Sequence, residues 1–205
     1  MNLADRTHWI FDLDGTLTVA AHDFELIRSK LGVPPRTPIL EYMRALPEVE
    51  ASAMNDQLHE IEMEIALRSR PQPGVHELLG ALSSAGKRLG IVTRNSEHIA
   101  KETLRVCEID GFFGPKDILG RDSIVPKPSP DGIHTLLDRW DATPEDAVMV
   151  GDYLFDIQSG RQAGTATVYL DSAGHGEFSA EADATVSSLS DLHKLLSQST
   201  DPQAD

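Results

Sequence analysis

From Gly74 onward, short apolar runs alternate with stretches of helical period, and this alternation narrows the fold more than any other feature of the chain. Residues 88–93, 117–120, 147–151 and 165–170 read as strands, and residues 7–11 as an earlier one. Between them, apolar residues recur three and four apart. Val75, Leu78, Leu79 and Leu82 mark one helix, Ile99, Leu104 and Val106 a second, and Ile133, Leu136 and Leu137 a third. Residues 157–163 and 189–196 read as two more. Ser96 is placed to cap the second helix, Ser129-Pro130 to open the third, and residues 184–186 form a short edge strand. Buried strands alternating with helices imply a mostly parallel sheet wrapped by helices, so the expected class is a doubly wound α/β fold. Folds of this kind bind ligands at the carboxyl ends of their strands.

Chemistry-bearing residues gather at those ends. The first strand runs into Asp12-Leu13-Asp14-Gly15-Thr16. Two carboxylates so close are costly to bury unless a cation compensates them. With that compensation, one can attack an electrophile while the other manages a proton. Asp-Gly is also an ordinary turn dipeptide. Thr93 ends the next strand, where its hydroxyl and the N–H groups of Arg94 and Asn95 can hold a phosphate oxygen or simply begin a helix. Lys127 lies in a proline-stiffened segment before a helix, as a point charge suited to phosphate or as a plain loop lysine. Asp152 and Asp156 follow the most apolar strand, where carboxylates can bind a cation or cap a helix.

Taken together and in this order, Asp12-x-Asp14, Thr93-Arg94-Asn95, Lys127-Pro128 and Gly151-Asp152-x-x-x-Asp156 resemble the four motifs of the haloacid dehalogenase (HAD) superfamily. Within it the chain is most similar to the phosphoglycolate phosphatase-like phosphatases, and the likeness spans nearly the whole sequence. The resemblance implies that Asp12 is the nucleophile, forming an aspartyl-phosphate, and that Asp14 is the acid and base. It implies a phosphoryl site built from Thr93, Lys127 and the backbone of Leu13, Asp14, Arg94 and Asn95. It also implies a magnesium ion held by Asp12, the Asp14 carbonyl and Asp152, with Asp156 either supporting the metal's shell or positioning Lys127. An acid at position 14 matches phosphatases and phosphosugar mutases; the superfamily's dehalogenases lack it and its ATP-driven pumps carry Thr. The expected function is therefore magnesium-dependent hydrolysis of a small phosphate monoester. The alternatives are a phosphosugar mutase or phosphotransferase of the same fold, and a non-catalytic binding module, which the intact carboxylates argue against.

Residues 19–72 carry no strand pattern. Asp23 caps a helix with Phe24, Ile27 and Leu31 on one face, and Thr37-Pro38 caps and starts a second with Ile39, Leu40, Met43 and Leu46. Pro47 opens a third, carrying Val49, Met54, Leu58, Ile61 and Ile65. The chain thus divides into an α/β core of residues 1–18 and 73–205 and a helical insertion of residues 19–72. That insertion is either a lid over the strand ends or a layer packed on the sheet. The resemblance implies a cap that contributes selectivity, shorter than the four-helix caps of phosphoglycolate phosphatases.

With 33 acidic and 18 basic residues among 205, the formal net charge is −15, which argues against a nucleic-acid or anionic-membrane surface. A site for anionic substrates must then supply its own positive charge. No apolar run approaches the ~20 residues that span a bilayer, and residues 1–6 lack a signal-peptide pattern. Cys107 is the only cysteine and sits among Leu104, Val106 and Ile109, a buried structural thiol. The expected setting is the cytoplasm, and the expected partner a small phosphorylated metabolite; nothing in the sequence fixes an oligomeric state. Arg94 is a further candidate for reaching the leaving group, and His175, in Gly174-His175-Gly176, for edging the site. Trp9 reads as core, Trp140 as a partly exposed helix end, and residues 198–205 as a polar tail.

Overall fold

The computed structural model describes residues 2–198, so the expected tail lies, from residue 199, outside the described residues. Six strands form one sheet: β1 (His8–Phe11), β2 (Arg88–Val92), β3 (Ile118–Leu119), β4 (Ala147–Gly151), β5 (Ala166–Leu170) and β6 (Ala184–Val186). Their order is β3-β2-β1-β4-β5-β6, and every pairing is parallel. The chain runs outward from β1 to β3, then returns to lay β4 on the other side of β1. The carboxyl ends of β1 and β4 therefore flank the point where the strand order reverses, and a crevice opens there.

Alternation along the strands feeds two cores. Trp9 and Phe11 of β1 point to one face with Ile91, Val148 and Val168, under α4 (Val75–Ser84), α5 (Glu97–Val106) and α8 (Leu189–Gln198). Ile10, Val92 and Met149 point to the other, under α6 (Asp131–Trp140) and the end of α7 (Leu154–Ala163). Cys107 lies free and buried in the first core, where burial pushes its thiol up to about 11. Ser96 Oγ accepts from Ile99 N at 3.3 Å, capping α5.

Trp140 departs from its expected exposure. Only 6% of it is accessible, because β2 offers Gly90, where a side chain would lie 2.7 Å from the indole. The buried indole N–H donates to Asp117 Oδ1 at 3.0 Å, and the ring stacks on His8.

Between β1 and α4 stand α1 (Phe24–Leu31), α2 (Ile39–Arg44) and α3 (Glu48–Ala66). Ile27, Leu31, Val33, Met43 and Leu58 form a third apolar cluster among themselves. Asp23 Oδ1 caps α1 by accepting from Leu26 N at 2.9 Å. Three details differ from expectation. Thr37 is not the cap of α2; its N–H closes a turn onto Pro34, and Pro38 occupies the cap position without a side-chain bond. Phe24 is 55% exposed and stacks on His22, since only Ile27 and Leu31 of α1 reach the cluster. Val49, in the first turn of α3, is 83% exposed, because helical period marks a face without saying how far the partner helices extend along it.

Candidate active site

The parallel ladder delivers Asp12 and Thr93. Asp12 N donates to Val150 O at 2.9 Å and Thr93 N to Leu119 O at 3.0 Å, so both residues extend their strands by one step. After Asp12 the chain turns tightly. Leu17 N and Thr18 N both donate to Leu13 O, and Gly15 N donates to Thr18 O. Gly15 has φ +90, and a Cβ there would lie 2.1 Å from Asp152 Oδ2, so the turn presses directly on that carboxylate. Thr16 Oγ1 donates to Asp152 Oδ1 at 3.2 Å. Gln72 closes the far side of the turn, its Nε2 donating to Gly15 O at 3.3 Å.

Lys127 is the hub. It is 1% exposed, and its Nζ lies 2.5 Å from Asp12 Oδ1 and 2.6 Å from Asp156 Oδ1. Burial works to lower its pKa, but the two carboxylates outweigh that and hold it above the ordinary lysine value. Asp156 Oδ2 accepts from Tyr153 N at 3.0 Å, so both Asp156 oxygens are engaged. Gly151 makes this possible, since a Cβ there would lie 2.2 Å from the Asp156 Cβ.

More carboxylate is buried here than one lysine can compensate. Burial first, then the Asp12 charge, pushes Asp14 and Asp152 each up to about 8. Burial raises Asp156 to about 6 against the pull of Lys127. Asp12, Asp152 and Asp156 each offer an oxygen, all within 4.8 Å of one another. Such an all-oxygen anionic set fits a hard divalent cation.

Asp14 is held separately: Asn95 Nδ2 donates to its Oδ2 at 2.6 Å, and His22 Nδ1 stands 3.7 Å from its Oδ1. Asn95's backbone N–H, expected to face a phosphate, donates instead to Thr93 Oγ1 at 3.1 Å. Arg94 turns toward the helical insertion. Its guanidinium forms a bidentate pair with Glu41 of α2 at 2.9 Å, donates to the Lys127 carbonyl and lies over the Phe155 ring. His175 stays in its own loop, where its N–H donates to Asp171 Oδ1.

Several participants escaped the sequence reading. Arg121 follows β3 and pairs with Glu62 of α3 at 2.7 and 2.9 Å, both side chains being under 10% exposed. Its position beyond a strand end was the available signal. Thr16 and Gln72 carried none, because their partners lie far off in sequence, and His22 carried none, because only the tight turn after Asp12 brings it back to Asp14.

A family model for "Haloacid dehalogenase-like hydrolase" matches residues 18–170. A phosphoglycolate phosphatase from Aquifex aeolicus is 32% identical, over 91% of this chain and 95% of its own length. An N-acetylmuramic acid 6-phosphate phosphatase from Pseudomonas aeruginosa is 31% identical, over 77% of this chain and 78% of its own. Among solved structures, a hydrolase from Pseudomonas syringae shares the fold with a TM-score of 0.77 at 22% identity, covering 94% of this chain and 99% of that one.

Proposed function

Because this chain belongs to the haloacid dehalogenase-like hydrolase family and is a phosphatase, we propose that it hydrolyses small phosphate monoesters through an aspartyl-phosphate on Asp12. The observation that carries this reading is that Asp12, Thr93 and Asp152 follow the ends of neighbouring strands while Lys127, from the segment after β3, is bonded to the nucleophile.

In the first step an Asp12 carboxylate oxygen attacks phosphorus, the ester P–O bond breaks, and the departing alkoxide takes the proton of Asp14. In the second, water attacks phosphorus, Asp14 takes its proton, and the P–O bond to Asp12 breaks. Lys127 and Thr93 face the phosphoryl oxygens and stabilise their charge, Lys127 being held in place by Asp156. A raised Asp14 pKa suits a group that must be an acid first and a base afterwards.

The donor set supports magnesium as cofactor, with Asp12, Asp152 and the Asp14 carbonyl as its protein ligands. When bound, the cation would neutralise buried carboxylate and phosphoryl charge. The engaged oxygens of Asp156 favour its role through Lys127 over direct ligation.

We further propose that residues 19–72 are a cap over this site. Support comes from their separate apolar cluster and from Glu41 and Glu62, which tie α2 and α3 to residues just beyond β2 and β3. The relatives' names cover different phosphate esters, which supports the class of substrate and not one member. Among the described residues no helix is long and apolar enough to cross a membrane. A single buried thiol is in keeping with a cytoplasmic setting.

Phosphate release from a panel of phosphorylated metabolites tests the reading. Asp12→Asn should lower turnover about a thousandfold or more, and a chelator should do the same until magnesium is restored. Turnover that survives in Asp12→Asn would overturn the mechanism.

A further inference from the structure

Asn95 occupies an unusual position. It lies two residues beyond Thr93, its backbone is fixed on three sides, and its side chain crosses to another strand end. Its N–H donates to Thr93 Oγ1 at 3.1 Å, and its carbonyl accepts from Arg121 N at 2.8 Å. A side chain at Gly120 would come within 2.6 Å of that carbonyl. Arg121 in turn is held by Glu62 and donates to the Arg94 carbonyl at 3.2 Å. Only 7% of Asn95 is exposed. From this clamped base the amide reaches Asp14 Oδ2 at 2.6 Å.

We infer that Asn95 is a positioning residue for proton transfer: its amide fixes Asp14 Oδ2 as an acceptor and leaves Oδ1 to carry the proton given to the leaving group. This rests on the reading of Asp14 as acid and base. A carboxylic acid has one carbonyl oxygen that accepts and one hydroxyl oxygen that donates. An N–H aimed at Oδ2 selects which is which. Among the described residues Oδ1 takes part in no hydrogen bond, and His22 Nδ1 at 3.7 Å is beyond hydrogen-bond range. Oδ1 is thus the oxygen available to a substrate. The bond also stops the carboxyl group from rotating, which matters because proton transfer demands near-attack placement.

The readout is dependence on the leaving group. An aliphatic alkoxide needs a proton as it departs; p-nitrophenolate does not. The ratio kcat/KM reports steps up to departure of the alcohol, so hydrolysis of the phosphoenzyme does not enter it. Wild type, Asn95→Leu and Asn95→Ala are compared on p-nitrophenyl phosphate and on the aliphatic ester of the metabolite panel that wild type cleaves fastest. Leu keeps the volume of Asn without its N–H, and Ala keeps the comparison open should Leu distort the loop.

The expected result is a fall of about 10- to 100-fold on the aliphatic ester, with a loss at least about tenfold smaller on p-nitrophenyl phosphate. In an Asp14→Asn background, the same change at 95 should add no further discrimination between the two esters. Equal losses on both esters would assign Asn95 to the loop alone and overturn the inference, leaving the phosphatase reading intact. No turnover of either ester by wild type would overturn that reading, and the inference with it.

Discussion

The floor of the site and the helices beside it are built on different physics. The floor sets Asp12 and Asp152 at the ends of β1 and β4 in a buried parallel sheet, and Lys127, from the segment after β3, and Asp156, from the first turn of α7, are locked to them by ion pairs. The helical insertion has its own small apolar cluster and meets the core where α3 packs on α5, with His59 stacked on His98, and through two ion pairs, Glu41–Arg94 and Glu62–Arg121. The first arrangement is rigid and electrostatically overloaded, and it tolerates little change. The second is more loosely held at Glu41, whose pair with Arg94 is partly exposed and lies outside the ladder of the sheet. A chain built this way keeps one chemistry while its choice of substrate drifts, which accords with the different esters named for its relatives.

The largest test of this contrast is pH dependence. Asp14 and Asp152 titrate near 8 in the fold against 3.8 ordinarily, so the folded state holds extra protons between those values. Their protonation therefore favours the fold at low pH, and stability should fall as pH rises from about 4 to about 8. Thermal unfolding under a chelator should show that fall, and Asp152→Asn should show less of it. Magnesium should raise the melting temperature more at pH 8 than at pH 5, because its ligands must be deprotonated. A fall of the same size in Asp152→Asn and wild type would remove the electrostatic overload from the account.

A smaller effect should come from the helical insertion. Glu62→Gln leaves the Arg121 guanidinium buried without its counter-charge, which should cost about 3 kcal/mol in urea unfolding. The smallest belongs to Glu41→Gln, whose pair is partly exposed and should contribute less than about 1 kcal/mol. Its visible consequence should be a changed ranking of substrates by KM. If Glu41 costs as much as Glu62, the insertion is not the loosely held part described above.

How far the molecule could be read from its sequence follows the same division. Strands β1 to β5 announced themselves because each is buried on both faces along most of its length, and the strand ends then marked Asp12, Thr93 and Asp152 as neighbours. Lys127 was legible only as a motif, since seven residues without strand or helix separate it from Leu119. The Asn95 side chain was missed because its partner lies 81 positions away, and neither residue type requires the other. Trp140 was misjudged because its polar neighbours in sequence say nothing of Gly90, which opens the space it fills across the sheet. Local pattern reports a residue's own face; it is silent about the shape of the opposite one.

Gly15 and Gly151 carry one more consequence. Each lies so close to a carboxylate that any side chain would collide with Asp152 or Asp156. Two positions without functional groups are thus as indispensable as the acids they touch. In a population of variants they would be as invariant as the nucleophile, and they would go unnoticed in any search confined to residues that can react.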